Sequence, residues 1–384
     1  MDNSQGETYL ARLTSPGKSA IATLSLFGPR AWEIIFKGFK PRTKKSLPIL
    51  PTPGSVFLGR LGLGHGDEVV LSCKTNCPML LEIHPHGGNQ VVSMLLEFLQ
   101  AEGATLCNWQ DFITHTTADP LKAMALVLLN QATTSEPTKI LLDQFQGAFR
   151  LWLDSFLSFI NQGDSRNATA LLSDIGRYSY LSGRLVQPWR VVLAGPTNAG
   201  KSSLMNILAG YQRSIVSEIP GTTRDVLWLE TAIEGWPVSF ADTAGLRATS
   251  DPLENAGMLI GTNATEQADL VLWVQDCSAE QIPVPDLFHN KKILGVTNKI
   301  DLDAFQAASI PQGAIGISAL SGLGIEALLS KIISELVSPV PKPCQAVAFH
   351  PLLKSALEKS FEFVDKGRLL DVPKLWESFN KNLN

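Results

Sequence analysis

The sequence predicts three parts: an α+β domain over residues 1–115, a helical domain split into 116–187 and 345–384, and an α/β domain of the phosphate-loop kind over 188–342, inserted between the two halves. Three observations carry that prediction. A GxxxxGK[ST] loop, Gly195-Pro196-Thr197-Asn198-Ala199-Gly200-Lys201-Ser202, follows an apolar run at 191–194 and precedes a helical pattern, the strand–loop–helix order such a loop needs. Short apolar runs separated by turns occupy residues 20–106, and 3.6-residue periodicity replaces them from about 119 to 180. Pro339-Val340-Pro341-Lys342-Pro343 then forms a stiff exit, after which helical periodicity returns.

In the first part, strands are expected at 20–27, 55–61, 68–73 and 79–84, with helices at 29–39 and 90–100. In the helical part, Leu121, Met124, Leu126 and Leu129, then Phe145, Phe149, Trp152 and Phe156, set the period. After the proline-rich exit come Leu352-Leu353-Ala356, Phe361-Val364 and Leu375-Trp376, the last with a helix start at Asp371 and Pro373. Trp152, Trp189 and Trp376 stand at core-like or boundary positions. Lys44-Lys45 and Lys291-Lys292 read as solvated surface charge. Cys73-x₃-Cys77 beside His84-x-His86 invites a zinc site, but the cysteines fall within apolar strand sequence and argue against one.

The 384 residues suit two or three domains, and 45% apolar with 18% charged residues supplies ample core. A net charge of −4 excludes a global attraction to nucleic acid or anionic membrane. Met1-Asp2-Asn3-Ser4-Gln5-Gly6-Glu7 has no signal-peptide core, and no apolar run approaches the roughly 18 residues of a membrane helix. Five scattered cysteines are the usage of a reduced compartment. A cytoplasmic protein without a membrane partner is expected.

The phosphate loop has downstream companions in a fixed order. Gly195 and Gly200 let the backbone wrap phosphates, with amides of Asn198, Ala199, Gly200 and Ser203 around the anion at a helix N-terminus. Lys201 offers a point charge to the β- and γ-phosphates, and the Ser202 hydroxyl is placed for Mg²⁺. Asp242-Thr243-Ala244-Gly245 closes a second apolar strand, so Asp242 should act on Mg²⁺ from behind its ligands and Gly245 should approach the γ-phosphate. Thr222-Thr223-Arg224 lies between, where a switch threonine belongs. Asn298-Lys299-Ile300-Asp301 follows an apolar run, and Ser318-Ala319-Leu320 follows it. The Asp301 carboxylate can accept both the N1–H and 2-amino donors of guanine, a pair that adenine lacks, so GTP and GDP are expected rather than ATP. These motifs together define an α/β P-loop GTPase domain. Leu246, directly after the Asp-x-x-Gly motif, cannot orient a water. Glu254 reads either as the group that does so or as a solvated helix-start carboxylate.

These stretches resemble the TrmE (MnmE) family of tRNA-modification GTPases. Pro220-Gly221-Thr222-Thr223-Arg224-Asp225-Val226 and Asp242-Thr243-Ala244-Gly245-Leu246-Arg247 carry the likeness inside the nucleotide domain. Leu81-Glu82-Ile83-His84-Pro85-His86-Gly87-Gly88, Leu26-Phe27-Gly28-Pro29 and Gln146-Gly147-Ala148-Phe149 extend it outside. The resemblance implies the same insertion architecture and GTP hydrolysis linked to wobble-uridine tRNA modification with a GidA (MnmG)-type flavoprotein. It implies Mg²⁺ on Ser202 and Thr223, and K⁺ on Asn198, the Ser217 and Ile219 carbonyls and the Thr222 hydroxyl. The resemblance also implies that Glu254 is the catalytic glutamate and that a homodimer pairs across the K⁺ site.

The departures from the family are specific. Its folate site uses an arginine in an early strand, a glutamate, a lysine and a C-terminal Cys-x-Gly-Lys. Here Glu82 is kept, Ser25 and Thr117 stand at the two cationic positions, and the sequence closes Lys381-Asn382-Leu383-Asn384, a shortened C-terminus. An intact nucleotide site beside a residual folate site is the expectation. A divergent paralogue acting as a regulatory or assembly switch, without modification activity, is the alternative.

Overall fold

The structure is a computed structural model that describes residues 6–43, 46–64, 66–210, 228–242, 264–302 and 310–383. It divides into two compact units, Met1–Val127 with Asn380–Asn384, and Leu128–Phe379.

The first unit holds strands β1 (Tyr9–Arg12), β2 (Leu24–Phe27), β3 (Phe39–Pro41), β4 (Val56–Leu61), β5 (Asp67–Asn76), β6 (Met79–His84) and β7 (Thr105–Leu106). Its helices are α1 (Ala31–Gly38), α2 (Asn89–Ala101) and α3 (Trp109–Thr116). The sheet runs β3-β4-β5-β6-β2-β1-β7, antiparallel except where β7 joins β1. Alternation sends Leu24, Leu26, Leu81 and Ile83 to one face, where Ile34 and Ile35 of α1 and Leu95 and Leu99 of α2 join them in the core. The opposite face carries α3, capped by Asn108 accepting from the Asp111 amide at 2.8 Å. His115 of α3 stacks on Tyr9 at 3.8 Å, and Phe112 meets Phe27 edge-on at 6.5 Å.

Strand β6 matches its expected bounds. The strand expected at 20–27 begins only at Leu24, and Ile21 forms an isolated bridge with His86. Helix α3 lies ahead of the expected helical onset. Cys73 is buried in the core and Cys77 exposed at the β5–β6 turn.

The nucleotide-domain sheet lies in the second unit: β8 (Trp189–Ala194), β9 (Leu229–Ile233), β10 (Trp236–Asp242), β11 (Leu270–Asp276), β12 (Ile293–Asn298) and β13 (Ile315–Gly316). Its order is β13-β12-β11-β8-β10-β9, parallel except for the β9–β10 hairpin. Near-continuous apolar strands such as Trp189–Ala194 fit a sheet covered on both faces. The helices described along this part of the chain are α4 (Pro120–Gln131), α5 (Ser135–Phe145), α6 (Ala148–Asn161), α7 (Ser165–Gly176), α8 (Lys201–Gly210), α9 (Ile325–Leu336), α10 (Pro351–Asp365) and α11 (Asp371–Leu383). Phe149 of α6 is fully buried, 5.9 Å from Phe349 and 6.0 Å from Trp376 of α11. The Trp376 indole donates to Ser360 Oγ of α10 at 3.1 Å. Lys291 and Lys292 are more than solvated charge: the first donates to the Ala268 carbonyl at 3.2 Å, and the second pairs with Glu335 at 2.9 Å. No described helix is long and apolar enough to cross a membrane.

Candidate nucleotide-binding site

Strand β8 ends at Ala194, and the chain turns through 195–200 into α8. Two positions of that turn admit no side chain. Gly195 has φ +144° and Gly200 +89°; a Cβ would strike the Val274 carbonyl at the first and the Asn298 side-chain amide at the second. The loop is thereby pressed against β11 and β12, and Asn198 adopts a left-handed φ of 63°. Asn198 and Ser203 are exposed, whereas Ala199 is buried. Lys201 opens α8 at 6% exposure, its ammonium donating to the Gly195 and Pro196 carbonyls at 3.0 and 2.6 Å. Clustered amides at a helix N-terminus with a buried ammonium beside them favour an anion.

Ser202 donates its hydroxyl to Asp242 Oδ2 at 3.0 Å. Parallel pairing makes this possible, because the β8–β10 register sets Asp242 beside Leu193, just ahead of the loop. A hydroxyl and a carboxylate are hard oxygen donors, a set that fits Mg²⁺.

The far side of the loop is held by Asn298, at the end of β12 and only 1% exposed. Its Nδ2 donates to the Ala199 carbonyl at 2.8 Å, and its Oδ1 accepts from the Ala319 amide at 2.9 Å. One buried amide therefore fixes the phosphate loop against the Ser318-Ala319 turn. Ser318 is fully buried, and its hydroxyl accepts from the Leu320 and Ser321 amides at 3.3 and 3.0 Å. Lys299, at φ 67°, pairs with Asp276 at 2.6 Å. Burial pushes the Asp276 carboxyl up, but bonds from Lys299 and Ser278 outweigh it and hold the group below its ordinary value. Cys277 donates its thiol to the Lys299 carbonyl at 3.1 Å. Burial, then the Asp276 and Asp301 charges, push that thiol up. Asp301 is exposed just beyond β12.

Thus the phosphate loop, Asp242, Asn298, Lys299, Asp301 and the Ser318-Ala319 turn gather at the C-terminal ends of the parallel strands, where open α/β sheets hold ligands. Ser217, Ile219, Thr222, Thr223, Gly245 and Glu254 lie outside the described residues. Asp276 and Cys277 were not singled out from sequence. The available signal was β11 itself, five buried residues closing on Gln275-Asp276.

Glu82 lies in the other unit, on β6, with Ser25 of β2 and Ser72 of β5 as register partners. Ser25 is 1% exposed and donates its hydroxyl to the Leu81 carbonyl at 3.1 Å. Glu82 Oε2 lies 2.9 Å from Lys74 Nζ and 3.4 Å from His84 Nε2. Lys74 lies two residues beyond Ser72, on the same face by strand alternation, next to the register shift between Cys73 and Thr75. Thr117 is the C-cap of α3 and brings no charge.

The fold and the loop define the class: this is a P-loop GTPase domain. A family model described as a 50S ribosome-binding GTPase matches residues 190–301. The tRNA modification GTPase MnmE of Acinetobacter baumannii strain AYE is 30% identical over 388 aligned residues, covering 86% of this chain and 82% of that protein. The MnmE of Proteus mirabilis is 29% identical over 372, covering 85% and 81%. Among solved structures, an Era variant of Aquifex aeolicus bound to GDP and AlF4⁻ is similar at 27% identity over 40% of this chain and 57% of that one, with a TM-score of 0.31. The chain belongs to the MnmE family of tRNA modification GTPases, a family of GTP-hydrolysing enzymes.

Proposed function

We propose that this chain hydrolyses GTP to GDP and phosphate in the presence of Mg²⁺ and K⁺, in the cytoplasm, and that the reaction serves wobble-uridine tRNA modification. The observation that carries the reading is the Asn298 amide, which sets a base-side turn and a phosphate loop at one fixed separation. Phosphate oxygens would take the Lys201 ammonium over from the loop carbonyls, and loop amides would hold the rest of the anion. Ser202 and Thr223 would ligate Mg²⁺, with Asp242 behind them; the Ser202–Asp242 bond supports this. When bound, Mg²⁺ neutralises charge on the β- and γ-oxygens. Asp301 would accept the guanine donors, and Gly245 would approach the γ-phosphate. Asn198, Ser217, Ile219 and Thr222 would take K⁺. Glu254 would orient the attacking water, since Leu246 cannot.

The proposed domain order is 1–115, then a helical domain of 116–187 with 345–384, interrupted by the nucleotide domain at 188–342. The contacts of Phe149 with Phe349 and Trp376 support it. A homodimer paired across the K⁺ site, with a GidA (MnmG)-type flavoprotein and tRNA as partners, completes the reading.

A second reading is favoured by one observation. Ser25 and Thr117 bring no cation to the two positions where the family has one, and the Ser25 hydroxyl is spent on the Leu81 carbonyl, so these two residues do not fit a folate's anionic tail. The chain would then be a GTPase switch without modification chemistry.

GTP turnover in K⁺ and in Na⁺ tests the first reading. Glu254→Ala should lower kcat at least about 10²-fold with GTP affinity nearly unchanged. Equal rates in the two salts would remove the K⁺ role, and a fully active Glu254→Ala would remove the glutamate. GTPase activity that fails to restore modification in cells lacking MnmE would select the switch.

A further inference from the structure

The β9–β10 hairpin spans 229–242, so along the chain it leads from the Thr222-Thr223-Arg224 motif to Asp242-Thr243-Ala244-Gly245, the motifs assigned above to Mg²⁺ and γ-phosphate. Its turn, Glu234-Gly235, touches two helices. The Gly235 carbonyl accepts from the Glu136 amide of α5 at 3.0 Å, and the Glu234 carboxylate accepts from Ser330 of α9 at 2.5 Å.

The bond to Glu136 replaces something. First-turn amides of a helix have no acceptor inside it, and an N-cap side chain ordinarily provides one. Thr134 is the N-cap of α5, yet its side chain makes no capping bond and its buried hydroxyl has no partner among the described residues. The hairpin carbonyl acts as the cap instead. Gly235 makes that approach possible: at φ +80°, a Cβ there would stand 2.5 Å from Ser135 Oγ and 2.9 Å from Glu136 Cγ.

The opposite end of α5 is fastened to the strap 344–349. Asp143 accepts from the Cys344 amide at 2.7 Å. Gln144, 3% exposed, donates to the Gln345 carbonyl at 2.9 Å and accepts from the Val347 amide at 3.2 Å. The Gln345 side chain reaches Asp174 of α7 at 3.0 Å, and the strap ends on Phe349, edge-on to Phe149. An 11-residue helix of about 16 Å therefore joins a hairpin turn to a strap in the aromatic core.

We infer that α5 is a strut that carries the state of the nucleotide site from the β9–β10 turn to the strap 344–349, with Gly235 at its receiving end and Gln144 at its delivering end. The inference rests on the nucleotide reading given above. A helix resists shortening along its axis. The Gln144 bonds are buried, so their loss leaves a polar group unpaired, and a displaced helix draws the strap with it before those bonds break. Coupling of this kind needs a packed element in contact with both sites, and α5 is bonded to the turn at one end and to the strap at the other.

The test is hydrogen exchange on the full chain, with GDP and with a non-hydrolysable GTP analogue, and nucleotide affinity measured in parallel. The Glu136 and Val347 amides should each exchange at least about 5-fold differently between the two states. Gly235→Ala should abolish the Val347 difference while GDP affinity stays within about 3-fold of the parent. Gln144→Leu should abolish it at Val347 yet leave it at Glu136. No state dependence at Val347 in the unmutated chain overturns the strut and needs no variant to fold. A Val347 difference that survives Gly235→Ala overturns it as well. Failure to bind either nucleotide would instead remove the nucleotide reading on which the strut rests.

Discussion

The frame around the phosphate loop and the outer face of the seven-stranded sheet are both built from polar side chains on strands, and they differ in where the hydrogen bonds go. In the frame, Asn298 reaches two backbone segments far from it in sequence, Ala199 and Ala319. Those bonds hold loops in position and leave the loops to meet a ligand. On the sheet face, Ser25 bonds the neighbouring strand, and Glu82 pairs with Lys74. Those bonds stay within the sheet. Glu82 therefore stands with its carboxylate already paired to Lys74, in register with the Ser25 on which, with Thr117, the second reading proposed above rests.

The largest expected effect lies in the frame. Asn298→Ala leaves the Ala199 carbonyl and the Ala319 amide without their buried partner. It should cost about 2–4 kcal/mol of stability in urea unfolding and weaken GDP at least about 10-fold. A stability change near zero would mean that the two loops hold themselves and that the contrast with the sheet face is false.

A smaller effect is expected on the sheet face. The Lys74 side chain is 48% exposed, so Glu82→Gln should change stability by no more than about 1 kcal/mol and leave GTP turnover untouched. Calorimetry with a formyl- or methylene-folate should show no binding tighter than about millimolar, because Ser25 and Thr117 replace two charged contacts worth about 1.5–3 kcal/mol each. Micromolar binding by the unmutated chain would show the face to be a working site and dissolve the comparison.

The smallest effect is a titration. Asp67 accepts from the His86 backbone and ring, and this bond with its charge raises the imidazole above the ordinary 6.5. A raised folded value stabilises the protein fully below the ordinary value, and the contribution fades as pH climbs through the raised one. NMR titration of His86 should place its midpoint above 6.5, and Asp67→Asn should return it there. An unchanged midpoint in the variant would assign the shift elsewhere.

How much was legible follows the same division. Strand β6 reads directly because Met79, Leu81 and Ile83 alternate with more exposed residues over its whole length. Strand β1 does not, since four residues, Tyr-Leu-Ala-Arg, carry too little alternation to be seen. The motif order from the phosphate loop to Asp301 is local chemistry and is visible in one dimension. That Asn298 bridges two loops is a tertiary fact and leaves no mark in spacing. Gln144 was hidden for a similar reason: an amide in a helix reads as solvated until the segment 344–349 is laid across it.

Calorimetric comparison of GDP with ADP in Mg²⁺ tests the central claim, a guanine-nucleotide site at the strand ends, most directly. With Asp301 in the proposed role of accepting both guanine donors, GDP should bind at least about 10²-fold tighter than ADP, and Asp301→Asn should move the preference towards xanthosine diphosphate. Equal affinities for GDP and ADP in the unmutated chain would contradict it.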